Sequence, residues 1–148
     1  MLAIAGLFTS CELTEDNPSA GDASLKSFAT WKGLQAFSYS SLAEQLYSSY
    51  SWLVAAETGT DLWVAKGNVE AWQQLLNYES FTPDYACTKE VWKQANSMIT
   101  NCNTVIDQAN SLVDGDPDVV AQLVAETKTL RAFYNYLLVA NFGPVTLN

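Results

Sequence analysis

The chain has 148 residues, 49% of them apolar and 16% charged, which is enough for one globular domain with a real core and too apolar for a disordered one. A formal net charge of −9 argues against a nucleic-acid partner, which Lys and Arg would have to hold by neutralising phosphates, and against adhesion to an anionic lipid surface. An uncharged ligand such as a sugar meets no such penalty. The absence of histidine removes the commonest general base and the commonest metal ligand, and weakens the case for hydrolase triads and zinc sites.

Met1 to Phe8 reads MLAIAGLF and is followed by Thr9-Ser10-Cys11. An apolar run too short to span a bilayer, ending at small residues, is a secretory signal rather than a transmembrane helix. A cysteine directly after the small pair marks a bacterial lipoprotein signal, in which Cys11 becomes the lipidated first residue of the mature protein. Phe8 stands where Leu is more usual, and no Lys or Arg precedes the run. Residues 12–24 (ELTEDNPSAGDAS) read as a flexible tether, which leaves residues 25–148 as a folded body held at a membrane surface by its anchor.

In that body, Leu25, Phe28, Trp31, Leu34, Leu42, Leu46, Tyr50 and Leu53 fall at helical spacing, which predicts one long amphipathic helix from Leu25 to about Ala56. Glu57 to Asp84 carries Gly59, Gly67, Pro83 and several asparagines and reads as a long loop with at most short helical pieces. Its aromatics Trp63, Trp72, Tyr78 and Phe81 argue against disorder. A second helix is predicted from Thr88 to Val113, with Val91, Ala95, Met98, Ile99, Cys102, Ile106, Ala109 and Val113 on one stripe. In Asp114-Gly115-Asp116-Pro117 a glycine ends one helix, an Asp caps the next and a proline takes its first position. The third helix then runs to about Asn141, where Gly143-Pro144 stops it, and the short connection makes the last two helices antiparallel. No strand-like alternation is present, so the expected fold is all-α. Val145 to Asn148 continue as an extended apolar segment, which reads as a fragment of a longer protein.

Three segments, in this order, resemble the SusD/RagB family of Bacteroidetes outer-membrane lipoproteins. They are the signal ending at Cys11, the stretch Glu57-Thr58-Gly59-Thr60-Asp61-Leu62-Trp63, and the run from Ala125 to Val145. The last is the most specific: Ala125-Glu126, then Leu130-Arg131-Ala132-Phe133-Tyr134, then Phe142-Gly143 before a short extended segment. Trp92, Ile99, Asn103 and Ile106 fit the family's preceding helix. The resemblance covers the whole chain but only the N-terminal part of a family member. It implies a tetratricopeptide-like helical scaffold, lipid-anchored at the outer membrane and facing outward at the cell surface. Such a protein captures oligosaccharides for a SusC-like TonB-dependent transporter, without bond chemistry and without a cofactor or metal. The alternative is a non-catalytic scaffold that binds only protein.

The residues best suited to hold sugar are Trp63, Trp72 and Tyr78, whose aromatic faces stack on the C–H faces of pyranose rings, with Asp61, Asn68 and Asn77 as hydrogen-bonding partners. The same aromatics would also serve simply to pin a long loop onto the helices. Arg131, in an otherwise apolar helix, predicts a carboxylate partner, Glu126 or Glu90. Asp114, Asp116 and Asp118 imitate the start of a calcium loop but lack its glycine and its final glutamate, so helix capping explains them better. Cys87 and Cys102, if both on the second helix, lie about 22 Å apart along it, too far for a disulfide. Glu57 and Asp61 as a glycosidase pair would need opposed cleft walls that one loop does not supply.

Overall fold

The computed structural model describes residues 26–48, 50–63, 70–80, 82 and 84–146. The lipidation residue Cys11, the tether, Leu25, Asn68 and Phe81 lie outside them. The described residues form five α-helices and no strand: α1 (Phe28–Tyr47), α2 (Trp52–Glu57), α3 (Glu70–Asn77), α4 (Ala86–Gln108, prolonged by a 3-10 turn Ala109–Ser111) and α5 (Pro117–Phe142). The all-α class follows directly.

The α4–α5 hairpin is the backbone of the fold. Ala95, Met98, Ile99 and Cys102 of α4 meet Leu130, Tyr134, Leu137 and Leu138 of α5, and Leu42, Trp52, Phe133, Phe142 and Val145 close over them. Each fully buried leucine here contributes about 1.5–3 kcal/mol. The hairpin turn is built as its sequence requires. The Asp116 carboxylate accepts the Asp118 N–H at 2.9 Å, and Pro117 opens α5. Gly115 sits at φ +106°, where a Cβ would also stand 2.8 Å from the Phe28 ring. Asp114 faces the other way, accepting the N–H of Phe28 at 2.6 Å, and so caps α1 from 86 positions away. Asp114 and Asp116 are thus both engaged as helix caps.

α1 departs from the sequence expectation in two ways. The helix is not continuous to Ala56: it ends at Tyr47, and Ser51 caps a separate short α2, its hydroxyl accepting the Val54 N–H at 3.3 Å. Its buried face is also not the leucine stripe. Trp31 is fully buried, but the residues beside it on the inner face are Gln35, Ser38 and Ser41, while Phe28, Leu34, Leu42 and Leu53 are half-buried and Tyr50 is exposed. The helix docks by hydrogen bonds instead. Trp31 Nε1 donates to the Val105 carbonyl at 2.9 Å, Asn101 Nδ2 to the Ser38 hydroxyl at 2.7 Å, and the Tyr134 hydroxyl to the Ser38 carbonyl at 2.6 Å. Small serines allow the approach, and the buried polar groups are satisfied from α4 and α5.

Arg131 is also paired differently from expectation. Its Nη1 donates to Asn103 Oδ1 at 2.7 Å, and among the described residues no carboxylate forms an ion pair with it. Glu126 lies five positions back, about 140° around the helix, and takes Tyr39 and Gln122 instead. Glu90 lies thirteen residues from Asn103 along α4, about 20 Å away, and reaches Lys93 at 3.8 Å. Because Arg131 is only half-buried, a neutral amide partner suffices.

Candidate functional site

A second, smaller core gathers Val54 of α2, Leu75 of α3, and Tyr85 and Cys87 at the start of α4, with Ala55 and Trp72 against it. This cluster packs α2 and α3 against the start of α4. The turn after α2 is closed by Thr60, whose hydroxyl donates to the Glu57 carbonyl at 2.8 Å and accepts the Leu62 N–H at 3.3 Å. Gly59, at φ +91°, passes so close to α3 that a Cβ would stand 2.9 Å from both the Leu75 carbonyl oxygen and the Tyr78 hydroxyl. Tyr78, itself at φ +55°, donates that hydroxyl to the Gly59 carbonyl at 3.1 Å.

Of the six residues expected to hold sugar, Asn68 lies outside the described residues and the other five differ in their surroundings. Asp61 and Asn77 are exposed, Trp63 is 37% exposed, and Tyr78 offers a ring that is 68% exposed although its hydroxyl is bound to the backbone. Trp72 is half-buried against the second core and serves packing. Glu57 and Asp61 occupy one turn rather than two facing walls.

Three cavities of note lie elsewhere. One of about 460 Å³ follows the α4–α5 turn and is lined mainly by Ile106, Leu112, Pro117, Val120 and Val124. A second, of about 540 Å³, opens where α1 breaks. Ser48 and Tyr50 form one side, while Asp84, Lys89, Glu90 and Gln94 form the other. A third, of about 220 Å³, lies on the Phe37 and Ser41 side of the same Gln94. The Oε1 of Gln94 is buried and has no hydrogen-bond partner. The clue to this place in the sequence is the serine-rich Ser48-Ser49-Tyr50-Ser51 ahead of Trp52, a break-and-cap signal that the continuous apolar spacing obscured.

Neither buried thiol is poised for chemistry. Burial pushes Cys87 and Cys102 above the ordinary thiol range, although a hydrogen bond from the Tyr85 hydroxyl partly offsets this at Cys87. Both sit in α4 and are free, as their spacing predicts. Among the described residues there is no group of His, Cys, Asp and Glu arranged to hold a metal, and no helix long and apolar enough to cross a membrane. No family model, curated protein or solved structure matches the chain.

Proposed function

We propose that this chain is a lipid-anchored, surface-exposed glycan-binding protein of the SusD/RagB kind, which captures oligosaccharides for import through a SusC-like TonB-dependent transporter and performs no bond chemistry. The observation that carries the reading is the run from Ala125 to Val145 and the use the fold makes of it. Leu130 and Tyr134 fill the hairpin interface, Arg131 holds Asn103 of the preceding helix, and Gly143 at φ +77° ends α5 before the extended exit. The signal ending at Cys11 and the Gly59-Thr60-Asp61 turn support it at two further points along the chain. In this reading Cys11 carries the anchor, the tether spaces the body from the outer membrane, and Trp63 offers a stacking face beside Asp61, with Asn68, Asn77 and Tyr78 contributing from the same region and Trp72 supporting it from beneath.

A second reading, a scaffold that binds only protein, is favoured by the outer face of α5. Ala121, Ala125, Ala132, Tyr136 and Val139 are all exposed along one helix.

Affinity electrophoresis of the full chain in mild detergent, against neutral plant and host polysaccharides, separates the two. The capture reading expects at least one polymer to retard the chain, and Trp63→Ala to weaken binding about three- to tenfold, the value of one lost stacking contact. If no polymer retards the parent chain, the scaffold reading takes its place.

A further inference from the structure

The chain enters its described part at one pole of the helical scaffold and is fastened there. The Val113 N–H donates to the Lys26 carbonyl at 3.0 Å, and the Asp114 carboxylate accepts the Phe28 N–H at 2.6 Å. Gly115 lies against the Phe28 ring, and Trp31, one turn into α1, is tied to the Val105 carbonyl near the end of α4. The start of α1 and the α4–α5 turn are therefore one junction. The second core sits at the other pole, at the start of α4, and the 23 residues of that helix put about 33 Å between the two.

The junction pole carries an apolar patch. Val113 is 79% exposed and Val119 is 40% exposed. Each lies one residue from the groove of about 460 Å³, which is lined by the half-buried Ile106, Leu112, Val120 and Val124. Single exposed valines are ordinary, but two beside an open apolar groove make a continuous surface that water covers at a cost. The charges around it nearly balance: the carboxylates of Asp107, Asp114, Asp116 and Asp118 face the ammonium groups of Lys26, Lys32 and Lys128. Two of those carboxylates, of Asp114 and Asp116, are committed to helix caps. What this pole offers a partner is apolar contact, with no net attraction to anionic groups.

We infer that the α4–α5 turn is a lipid-contact surface, with Val113 and Val119 set into the acyl region of the bilayer that anchors the chain and the groove covered by acyl chains. This rests on the capture reading, which supplies the anchor at Cys11. A coil from Cys11 to Lys26 spans about 20 Å, shorter than α4, so the anchor holds the junction pole as the end nearer the membrane. Such a surface gains from the apolar area it buries in the interface, and the tether keeps it at a high effective concentration there. The pole that carries Gly59 and Tyr78 then faces away from the lipid.

The acylated chain, purified from a lipoprotein-processing bacterium and placed on phosphatidylcholine vesicles, tests this by amide hydrogen exchange. The parent is compared with a Val113→Ser, Val119→Ser variant, whose changed side chains are exposed and lie outside the main core. Amides from Asp114 to Val119 are expected to exchange about tenfold more slowly in the parent, while the turn at Gly59 exchanges alike in both. Adding anionic phosphatidylglycerol leaves that difference in place. Equal exchange of the α4–α5 turn in parent and variant overturns the assignment, and so does slowing that requires the anionic lipid. Mass spectrometry of the purified chain keeps the capture reading separate. If Cys11 carries no acyl group, that reading loses its anchor. The lipid contact is then decided on its own by coupling Cys11 to a maleimide-bearing lipid and repeating the exchange, because Cys87 and Cys102 are buried.

Discussion

Tyr134 shows how much of the fold one side chain can carry. It is fully buried in the hairpin interface, and its hydroxyl donates at 2.6 Å to the Ser38 carbonyl, so one residue of α5 fastens α1 and fills the core. Burial, followed by the proximity of Cys102, pushes its phenol up to about 12. Since the folded value lies above the ordinary one near 10, the folded chain holds its proton more tightly than the unfolded chain. The resulting stabilisation is complete below pH 10 and is lost as pH rises from about 10 to 12. Tyr134→Phe gives up the hydrogen bond to Ser38 and the titration together. Urea unfolding should find it less stable than the parent by about 1 kcal/mol near neutrality. Between pH 10 and 12 the gap should close, because only the parent then loses stability through this group. A gap that stays constant across that range would show that Tyr134 ionises freely in the folded state.

At the scale of elements, two glycines offer opposite tests. Gly33 lies inside α1 and a Cβ there meets nothing within 4 Å, so Gly33→Ala should stabilise the chain by roughly 0.5–1 kcal/mol through helix propensity alone. Gly115 combines φ +106° with a Cβ position 2.8 Å from the Phe28 ring, so Gly115→Ala should destabilise by at least about 1–2 kcal/mol and loosen the junction of α1 with the hairpin turn. Thermal melts of the two variants check both signs. The hairpin was legible from sequence because its signals were local and agreed: a clear apolar period on α4, then glycine, Asp cap and proline in a row. α1 was less legible because its inner face carries Gln35, Ser38 and Ser41, whose burial depends on partners such as Asn101 and Tyr134, far away in sequence. The leucine spacing was real, but it followed the flank of the docked face and ran across the break at Ser48–Ser51. The pairing of Arg131 with Asn103 was hidden for the same reason, since only the antiparallel register of α4 and α5 brings them together.

For the molecule as a whole, the three helices α1, α4 and α5 make a scaffold, and α2 and α3 pack against the start of α4 through a second core. Sequence reasoning nominated aromatics of that region as sugar contacts. The fold leaves Trp63 and Tyr78 facing solvent, assigns Trp72 to packing, and opens its more polar cleft at Gln94, which no motif marks. The serines before Trp52 signal the helix break, but an unpaired amide cannot be read from residue types, because a missing partner is not a property of any single position. Under the proposed function the chain holds a neutral ligand and passes it on, and its net charge of −9 does not penalise such a ligand. Isothermal titration of the full chain with oligosaccharides cut from neutral polysaccharides tests that claim most directly. Capture without chemistry predicts a saturable signal, with heat returning to baseline after every injection. No heat from any oligosaccharide, or a sustained heat flow that marks turnover of the sugar, would contradict it.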